Sequence, residues 1–300
     1  GSVAKSVVAP FERAKILFQV SEIRFTFAGL WRLLQRTVEK EGAVYLWKGH
    51  SATLVRIVPY SAIQFMSHEQ YKRLLLREGE SHLPPARRFV AGALAGATCT
   101  LSTYPLDLVR ARLAIQPIHK REYSGLWNAL VTIRQQEGSS ALFRGLKPSL
   151  IGIVPYAGTA FFTFETLKWT LLDVTGQSSL QLDQRLVCGG LAGLFGQCVT
   201  YPLDIVRRRM QTDGFFNQRP TMSILGTLQH VVENQGVIQG LYKGLSVNWF
   251  KAPIAAGISF ATFETVRSAP NLAPLLTSSL PTHPSHPRST SSLHPPPSLP

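Results

Sequence analysis

One pattern of four short motifs occurs three times along the 300 residues, in the same order each time. The first motif is YPLDLVRAR at 104–112, which returns as YPLDIVRRR at 201–209, and APFERAK at 9–15 is a weaker copy. The prolines of this motif, Pro10, Pro105 and Pro202, are 95 and 97 residues apart. Four ordered motifs in three copies predict a threefold tandem repeat with a period of about 97 residues.

Three further motifs follow the first one in every copy. The second motif is EGAVYLWKG, EGSSALFRG and QGVIQGLYKG, at 41–49, 137–145 and 235–244. The third motif is RIVPYSA, GIVPYAG and FKAPIAAG, at 56–62, 152–158 and 250–257. The fourth motif is HEQYK, FETLK and FETVR, at 68–72, 164–168 and 263–267. We predict one domain, 1–268, made of units 1–78, 86–173 and 182–268.

Each unit is predicted to contain two long apolar helices with a shorter amphipathic helix between them. In unit two the long helices cover roughly 87–115 and 146–172, and each exceeds the length needed to cross about 30 Å of hydrocarbon. Gly92 and Gly96 are four residues apart, a spacing of small residues that lets membrane helices pack closely. The sequence therefore predicts an all-α membrane protein with six transmembrane helices and short surface helices.

The composition indicates an anionic partner. The formal net charge is +14, which favours nucleic acid, acidic lipid or a phosphate-bearing small molecule. The basic residues are spread over the repeats and no nucleic-acid-binding module is present, which argues against nucleic acid. Cys99, Cys188 and Cys198 have no metal-ligand spacing and are expected to be buried thiols, so we predict no metal site. No catalytic motif is present, and no enzyme activity is predicted.

The first motif places charged residues inside predicted membrane helices, with an acid two residues and a base five residues after each proline. A charge in a membrane helix is costly unless it is paired or faces water. Because the proline kinks the helix, the acid of one helix could pair with the base of the next and close a ring. This first ring comprises Glu12, Asp107 and Asp204 with Lys15, Arg110 and Arg207.

The fourth motif predicts a second ring, Glu69, Glu165 and Glu264 with Lys72, Lys168 and Arg267. The alternative is that these are local pairs three residues apart on one helix.

With these motifs, P-x-[DE]-x-x-[KR], [DE]-G and aromatic-basic-Gly in three copies, the chain resembles the mitochondrial carrier family over residues 1–268. The resemblance implies threefold pseudosymmetry, the inner mitochondrial membrane and alternating access between two open states. It also implies that the first ring is a matrix gate and the second a cytoplasmic gate. Gln19 and Gln211 match the family's glutamine braces under the matrix gate, whereas Ala114 departs from it. Gln235 departs from the usual acid before Gly236.

The resemblance also implies a bound lipid but no other cofactor. Gly49, Gly145 and Gly244 precede the second long helices, at positions where helix starts in the family bind cardiolipin phosphates. Simple helix capping is the alternative.

Three cations break the threefold symmetry and are predicted to bind substrate. Lys5 has Thr100 and Gln197 as equivalents. The equivalents of Arg56 are Gly152 and Phe250, and those of Lys251 are Ile57 and Ile153. We expect these cations to stand apart from the rings without a fixed partner, which suits a ligand with several phosphates. Snorkelling to an interface is the alternative.

The resemblance supplies an expected substrate. Lys5, Arg56, Gly152, Ile153 and Lys251 match the contact positions of the family's adenine-nucleotide carriers, and Gly152–Ile153 would leave a slot for a planar base. Several segments are similar to carriers of coenzyme A, which implies a monomer that exchanges coenzyme A for adenine nucleotides or adenosine 3′,5′-bisphosphate. An ATP-Mg or ADP/ATP carrier and a non-transporting isoform are the alternatives.

The sequence predicts a shortened first helix at its N-terminal end and a disordered tail at its C-terminal end. Counting back from Pro10 by the glycine spacing of the other units, we expect GSVAKSVVAPFERAK to be the second half of the first helix, which lacks about its first 15 residues. Residues 269–300 are rich in Pro and Ser and are expected to be disordered.

Overall fold

The structure, a computed structural model, describes residues 2–77, 80, 83–116, 122–177, 179–216 and 223–268. The predicted disordered tail, 269–300, lies outside the described residues. Contacts are given below for residues up to Ile258, and 259–268 are described only as the end of the last helix.

The helices repeat a long–short–long order three times, as the sequence predicted. Unit one has α1 (Ser2–Val20), α2 (Phe27–Glu41) and α3 (His50–Leu75). Unit two has α4 (Pro85–Ile115), α5 (Leu126–Glu137) and α6 (Leu146–Thr175). Unit three has α7 (Leu182–Phe216), α8 (Ile224–Gln235) and α9 (Leu245–Ser268). Among the described residues all regular structure is helical, which confirms the all-α prediction.

Every long helix contains an internal proline, at Pro10, Pro59, Pro105, Pro155, Pro202 and Pro253. A proline within a helix removes one backbone hydrogen bond and bends the axis. The second long helix of one unit packs along the first long helix of the next, as α3 does with α4 and α6 with α7.

The surface of the long helices is strongly apolar. Phe65 is 78% exposed on α3 and Phe162 is 72% exposed on α6. By length and composition alone, two of the described segments, Ser139–Thr175 and Leu182–Asp213, qualify as membrane spans. Apolar surface of this kind is stable in hydrocarbon and costly in water.

The buried apolar side chains cluster where each short helix packs on the first long helix. In unit two Tyr104 and Leu108 of α4 pack with Ile133 of α5. In unit three Tyr201 and Val231 are the equivalent residues of α7 and α8. These clusters therefore fix each short helix against the first long helix of its unit.

The turn before each second long helix holds the units together. Gly49, Gly145 and Gly244 have φ angles of 83°, 82° and 78°, in the left-handed region that favours glycine. A Cβ on Gly49 would lie 2.9 Å from the Arg110 carbonyl oxygen, and one on Gly145 would lie 2.9 Å from that of Arg207. Each glycine thus lets the first long helix of the following unit approach closely.

Unit three differs from the others by one inserted residue in this connection. Gly236 and Gly244 are eight residues apart, whereas Gly42 and Gly49 are seven apart. The extra residue is absorbed in a π-helical turn, Val237–Leu241, where units one and two have 3₁₀ turns. Gly244 therefore keeps its left-handed conformation directly before α9, as Gly49 and Gly145 do before α3 and α6.

We predict that Gly145→Ala lowers stability, because it combines backbone strain with a Cβ too close to α7. The expected loss in the free energy of unfolding is about 1–3 kcal/mol, measured by thermal unfolding in detergent. Gly158→Ala is the control, since a Cβ there would meet no atom within 4 Å. Equal stability of the two variants would contradict the proposed role of the glycine turn.

Candidate functional site

A cavity of about 580 Å³ lies between α3, α4, α6 and α7. Its lining includes the slot residues Gly152 and Ile153, and also Asp204 and Arg207 of the first ring. The symmetry-breaking polar residues Thr100 and Gln197, which occupy the Lys5 position in units two and three, line it as well. The structure therefore brings together the predicted slot and part of the first ring.

The slot is narrow because small residues face large apolar ones across it. A Cβ on Gly152 would lie 3.8 Å from Leu203 Cδ1, and one on Gly96 would lie 3.9 Å from Ile153 Cγ2. A side chain larger than hydrogen at either glycine would narrow the space. Both distances are those of ordinary van der Waals contact, so each glycine is closely packed against its neighbour, and the binding of a planar base at Gly152 and Ile153 stays a prediction.

Two of the predicted substrate cations are bound to carboxylates of the first ring, so the expectation that they lack a fixed partner was wrong. Arg56 Nη1 lies 2.8 Å from Asp107 Oδ1, and Arg56 Nε donates to Thr103 Oγ1 at 3.2 Å. Lys251 Nζ lies 2.8 Å from Glu12 Oε1. An acid of the neighbouring unit compensates each cation, which lowers the cost of burial.

These two ion pairs have the same arrangement, which was not predicted from the sequence. In each pair, the second long helix of one unit supplies a cation to the ring acid of the next unit, α3 to α4 and α9 to α1. In unit two the same positions of α6 are Gly152 and Ile153, which carry no charge. The apolar slot thus occupies the place of the third cation, beside Asp204.

Lys5 lies on the exposed surface of α1. It forms no ion pair within 4 Å with the described residues, but it is within electrostatic reach of Glu12, Arg56 and Lys251. Of the three predicted cations, Lys5 is therefore the one that fits the expectation of an unpaired charge.

The first ring is closed at two of its three positions. Arg110 pairs with Glu12, and Arg207 Nη2 lies 2.7 Å from Asp107 Oδ2. Both pairs join different units, as the ring hypothesis requires. The third pair is not formed within 4 Å among the described residues, and Lys15 Nζ lies 5.1 Å from the centroid of the Tyr201 ring instead.

The predicted glutamine braces have different partners. Gln211 Nε2 donates to Asp107 Oδ2 at 2.9 Å and to Tyr104 Oη at 3.0 Å, so it supports a closed pair directly. Gln19 Nε2 donates to Tyr201 Oη at 3.2 Å, beside the open position. Ala114 offers no side-chain bond, and its carbonyl oxygen accepts a hydrogen bond from Arg13 Nε at 3.0 Å.

The second ring has only local pairs in the described part of the chain. Lys72 lies 3.8 Å from Glu69, and Lys168 lies 3.3 Å from Glu165, each three residues apart on its own helix. The side chains of Glu264 and Arg267 lie outside the described residues. A ring between helices at this level stays a prediction for another state of the protein.

Sequence reasoning missed one cation of the first ring region. Arg208 Nη1 donates to Gln211 Oε1 at 2.6 Å, and Arg208 is in electrostatic contact with Asp107, Arg110 and Asp204. The sequence does distinguish Arg208, because the equivalent positions in units one and two are the uncharged residues Ile16 and Ala111. No group of three or more possible metal ligands occurs among the residues that the structure describes.

The three helical repeats surround a cavity, and ion pairs link one repeat to the next. This arrangement is that of a membrane solute carrier. A model of the family described as "Mitochondrial carrier protein" matches residues 1–79, 81–175 and 178–270. The chain belongs to the mitochondrial carrier family, and it is therefore a mitochondrial multi-pass membrane transporter and not an enzyme.

Similar proteins carry more specific names. The Mitochondrial coenzyme A transporter SLC25A42 of Danio rerio is 51% identical over 268 residues, which is 88% of this chain and 82% of that protein. Its counterpart in Homo sapiens is 49% identical over 271 residues, 89% of this chain and 84% of that protein. Solute carrier family 25 member 16 of Homo sapiens is 37% identical over 285 residues, with coverages of 89% and 84%.

We predict that Gln211→Ala destabilises the closed first ring more than Gln19→Ala. Gln211 bonds an acid of a closed pair, so its loss should cost about 1–3 kcal/mol of unfolding free energy. Gln19 bonds only a tyrosine beside the open position, and its loss should cost about 0.5–1.5 kcal/mol. Thermal unfolding of the two variants in parallel measures the difference. The opposite ranking would contradict the assignment of the open position.

Proposed function

We propose that this protein is an inner-membrane antiporter that brings coenzyme A into mitochondria in exchange for adenine nucleotides or adenosine 3′,5′-bisphosphate. The observation that carries the proposal is the asymmetric site, with Arg56 and Lys251 on two units and the apolar Gly152–Ile153 slot on the third. Coenzyme A combines an adenine with separate phosphate groups, so it needs both cations and a base slot. The two similar proteins that are named mitochondrial coenzyme A transporter support the same substrate.

The proposed binding mode uses the residues at the positions described. The base enters the slot at Gly152 and Ile153, and the phosphates take donors from Arg56 and Lys251. Lys5 supplies a further positive charge. Charge-assisted bonds of arginine and lysine to phosphate are among the strongest polar contacts in proteins.

The proposed transport cycle is alternating access. The first ring, supported by Gln211, is the matrix gate and is mostly closed in this structure, while the second ring is the cytoplasmic gate. Phosphates that bind Arg56 and Lys251 compete with Asp107 and Glu12 for the same nitrogens, so occupancy loosens the first ring. The open Lys15–Asp204 position is consistent with a gate of limited strength.

The remaining proposals concern lipid and assembly. The protein works as a monomer, and cardiolipin phosphates bind at the helix starts after Gly49, Gly145 and Gly244. As at every helix start, the first backbone N–H groups of α3, α6 and α9 have no intrahelical acceptors, which favours an anion there.

Transport of labelled coenzyme A tests the proposal. Purified protein in liposomes loaded with adenosine 3′,5′-bisphosphate should take up coenzyme A, and empty liposomes should take up much less, because an antiporter needs a counter-substrate. Uptake of ADP or ATP without coenzyme A would favour an ATP-Mg or ADP/ATP carrier. Absence of uptake of every nucleotide by folded protein would favour a non-transporting form.

We expect Lys251→Ala to reduce exchange by about tenfold or more, since each bond to a charged group contributes about 1.5–3 kcal/mol. Lys40→Ala is the matched control, because Lys40 is an exposed lysine of α2 that forms no ion pair within 4 Å among the described residues. Thermal unfolding of both variants checks that they fold. Full exchange activity of folded Lys251→Ala protein would show that Lys251 is not part of the substrate-binding site.

A further inference from the structure

A side-chain acceptor in the wall of the cavity between α3, α4, α6 and α7 has no hydrogen-bond partner. Gln64 of α3 lines this cavity, and its Oε1 atom is buried without a donor. Among the described residues that line the cavity, Arg207 is the other one with a buried unpaired side-chain atom, and that atom, Nε, is a donor. Because native structures seldom leave a buried acceptor unpaired, the Gln64 carboxamide is placed to receive a donor from a ligand.

Gln64 is also a polar residue that breaks the threefold symmetry. It lies five residues after the proline of the third motif, where units two and three have Ala160 and Ile258. A glutamine that served the common frame of the three units would be expected at more than one of these positions. Arg56 and Lys251, the predicted substrate cations, break the symmetry in the same way. Gln64 therefore resembles the residues that distinguish the ligand and not those that build the repeat.

Arg56, Tyr60 and Gln64 are four residues apart and follow one another along one side of α3. The guanidinium carbon of Arg56 lies 5.0 Å from the centroid of the Tyr60 ring, and Tyr60 lines the cavity as Gln64 does. Cys99 Sγ of α4 donates to the Tyr60 carbonyl oxygen at 3.1 Å, which fixes this part of α3 against α4. Eight residues of helix correspond to about 12 Å, so a ligand could contact Arg56 with a phosphate and Gln64 with its base.

The unpaired atom of Gln64 indicates which chemical group of a ligand it would bind. An ionised phosphate group offers acceptors, so it cannot supply the donor that Oε1 lacks. The adenine base carries an amino group beside a ring-nitrogen acceptor, and a glutamine carboxamide matches this edge with one acceptor and one donor group. The amino group would donate to Oε1, and Nε2 of the same carboxamide would donate to the ring nitrogen.

We propose that Gln64 recognises the 6-amino edge of the adenine base and makes the site selective for adenine nucleotides. The inference rests on the proposed function, which brings an adenine nucleotide into this cavity beside Gly152 and Ile153. It adds a specificity-determining residue on α3 to the predicted base contacts on α6. A base without the amino group leaves Oε1 without a donor, so it binds less tightly than adenine.

The test compares adenosine 3′,5′-bisphosphate with the purine bisphosphate that lacks the 6-amino group and is otherwise identical. Purified protein in detergent is unfolded thermally in rising concentrations of each compound, because a ligand of the folded state raises the unfolding temperature according to its affinity. The unchanged chain should bind the adenine compound about tenfold more tightly than the analogue. The same ranking is expected when the two compounds compete with labelled coenzyme A for uptake into liposomes.

Gln64→Met removes both hydrogen-bonding groups and keeps the length of the side chain. The variant should bind both compounds with the weaker affinity that the unchanged chain has for the analogue. Without ligand it should be at least as stable as the unchanged chain, because an apolar group replaces a buried acceptor that has no donor. Gln135→Ala is the control and should keep the preference for adenine, since Gln135 is an exposed glutamine of α5 that does not line the cavity.

Three results would overturn the inference while the proposed function stands. The first is equal binding of the two compounds by the unchanged chain, a comparison that does not depend on the folding of any variant. The second is an unchanged preference for adenine in Gln64→Met, with or without a loss of stability, which would leave Gln64 at most a structural role. The third is an effect of Gln64→Met on coenzyme A alone, which would indicate a contact with the pantetheine chain.

Failure of the proposed function gives different results. Stabilisation by ATP, without any effect of coenzyme A or adenosine 3′,5′-bisphosphate, would reject a coenzyme A carrier. The base contact is then tested with ATP against the purine triphosphate that lacks the 6-amino group, with the same preference expected. Absence of stabilisation by every adenine nucleotide would overturn both the proposed function and the role of Gln64.

Discussion

The carboxylate of Asp107 is the interaction on which the arrangement of the helices depends. It accepts from Arg56 of α3, Arg207 of α7 and Gln211 of α7 while it belongs to α4. One side chain, itself 3% exposed, therefore joins all three units through two cations and an amide. Because a buried carboxylate without these donors would cost several kcal/mol, α3 and α7 are held where they meet α4. The left-handed glycines then allow the close approach that these bonds require.

The same network explains why transport chemistry and stability share residues in this fold. The acids that close the first ring are also the acids that neutralise Arg56 and Lys251. In the proposed binding mode, phosphates of the ligand would replace these acids as the partners of the cations, while each acid keeps its ring partner, Arg110 or Arg207. Unit two cannot take part in this exchange, since it offers Gly152 and Ile153 there.

The sequence predicted the fold well, because a period of about 97 residues and one internal proline per long helix leave few arrangements. It also predicted Arg110 with Glu12 and Arg207 with Asp107, since their spacing is the same in each unit. The partners of Arg56 and Lys251 could not be predicted, because they depend on how far the neighbouring units rotate toward each other. Arg208 breaks the threefold symmetry as Arg56 does, but it was missed because it lies within a run of three arginines. The gap between Lys15 and Asp204 is a property of one conformation, which no periodic pattern specifies.

Broken symmetry has two opposite consequences in this chain. Arg56, Lys251 and Lys5 are cations added to a symmetric frame, and Arg56 and Lys251 pair with carboxylates of the first ring. At Gln235 the frame has lost a carboxylate, and no neighbouring acid within 4 Å replaces it among the described residues. The added cations Arg56 and Lys251 each have a counter-charge in contact. The lost carboxylate leaves Arg209 Nε and Nη2 without a hydrogen-bond partner among the described residues, and a buried donor without an acceptor costs about 1–3 kcal/mol.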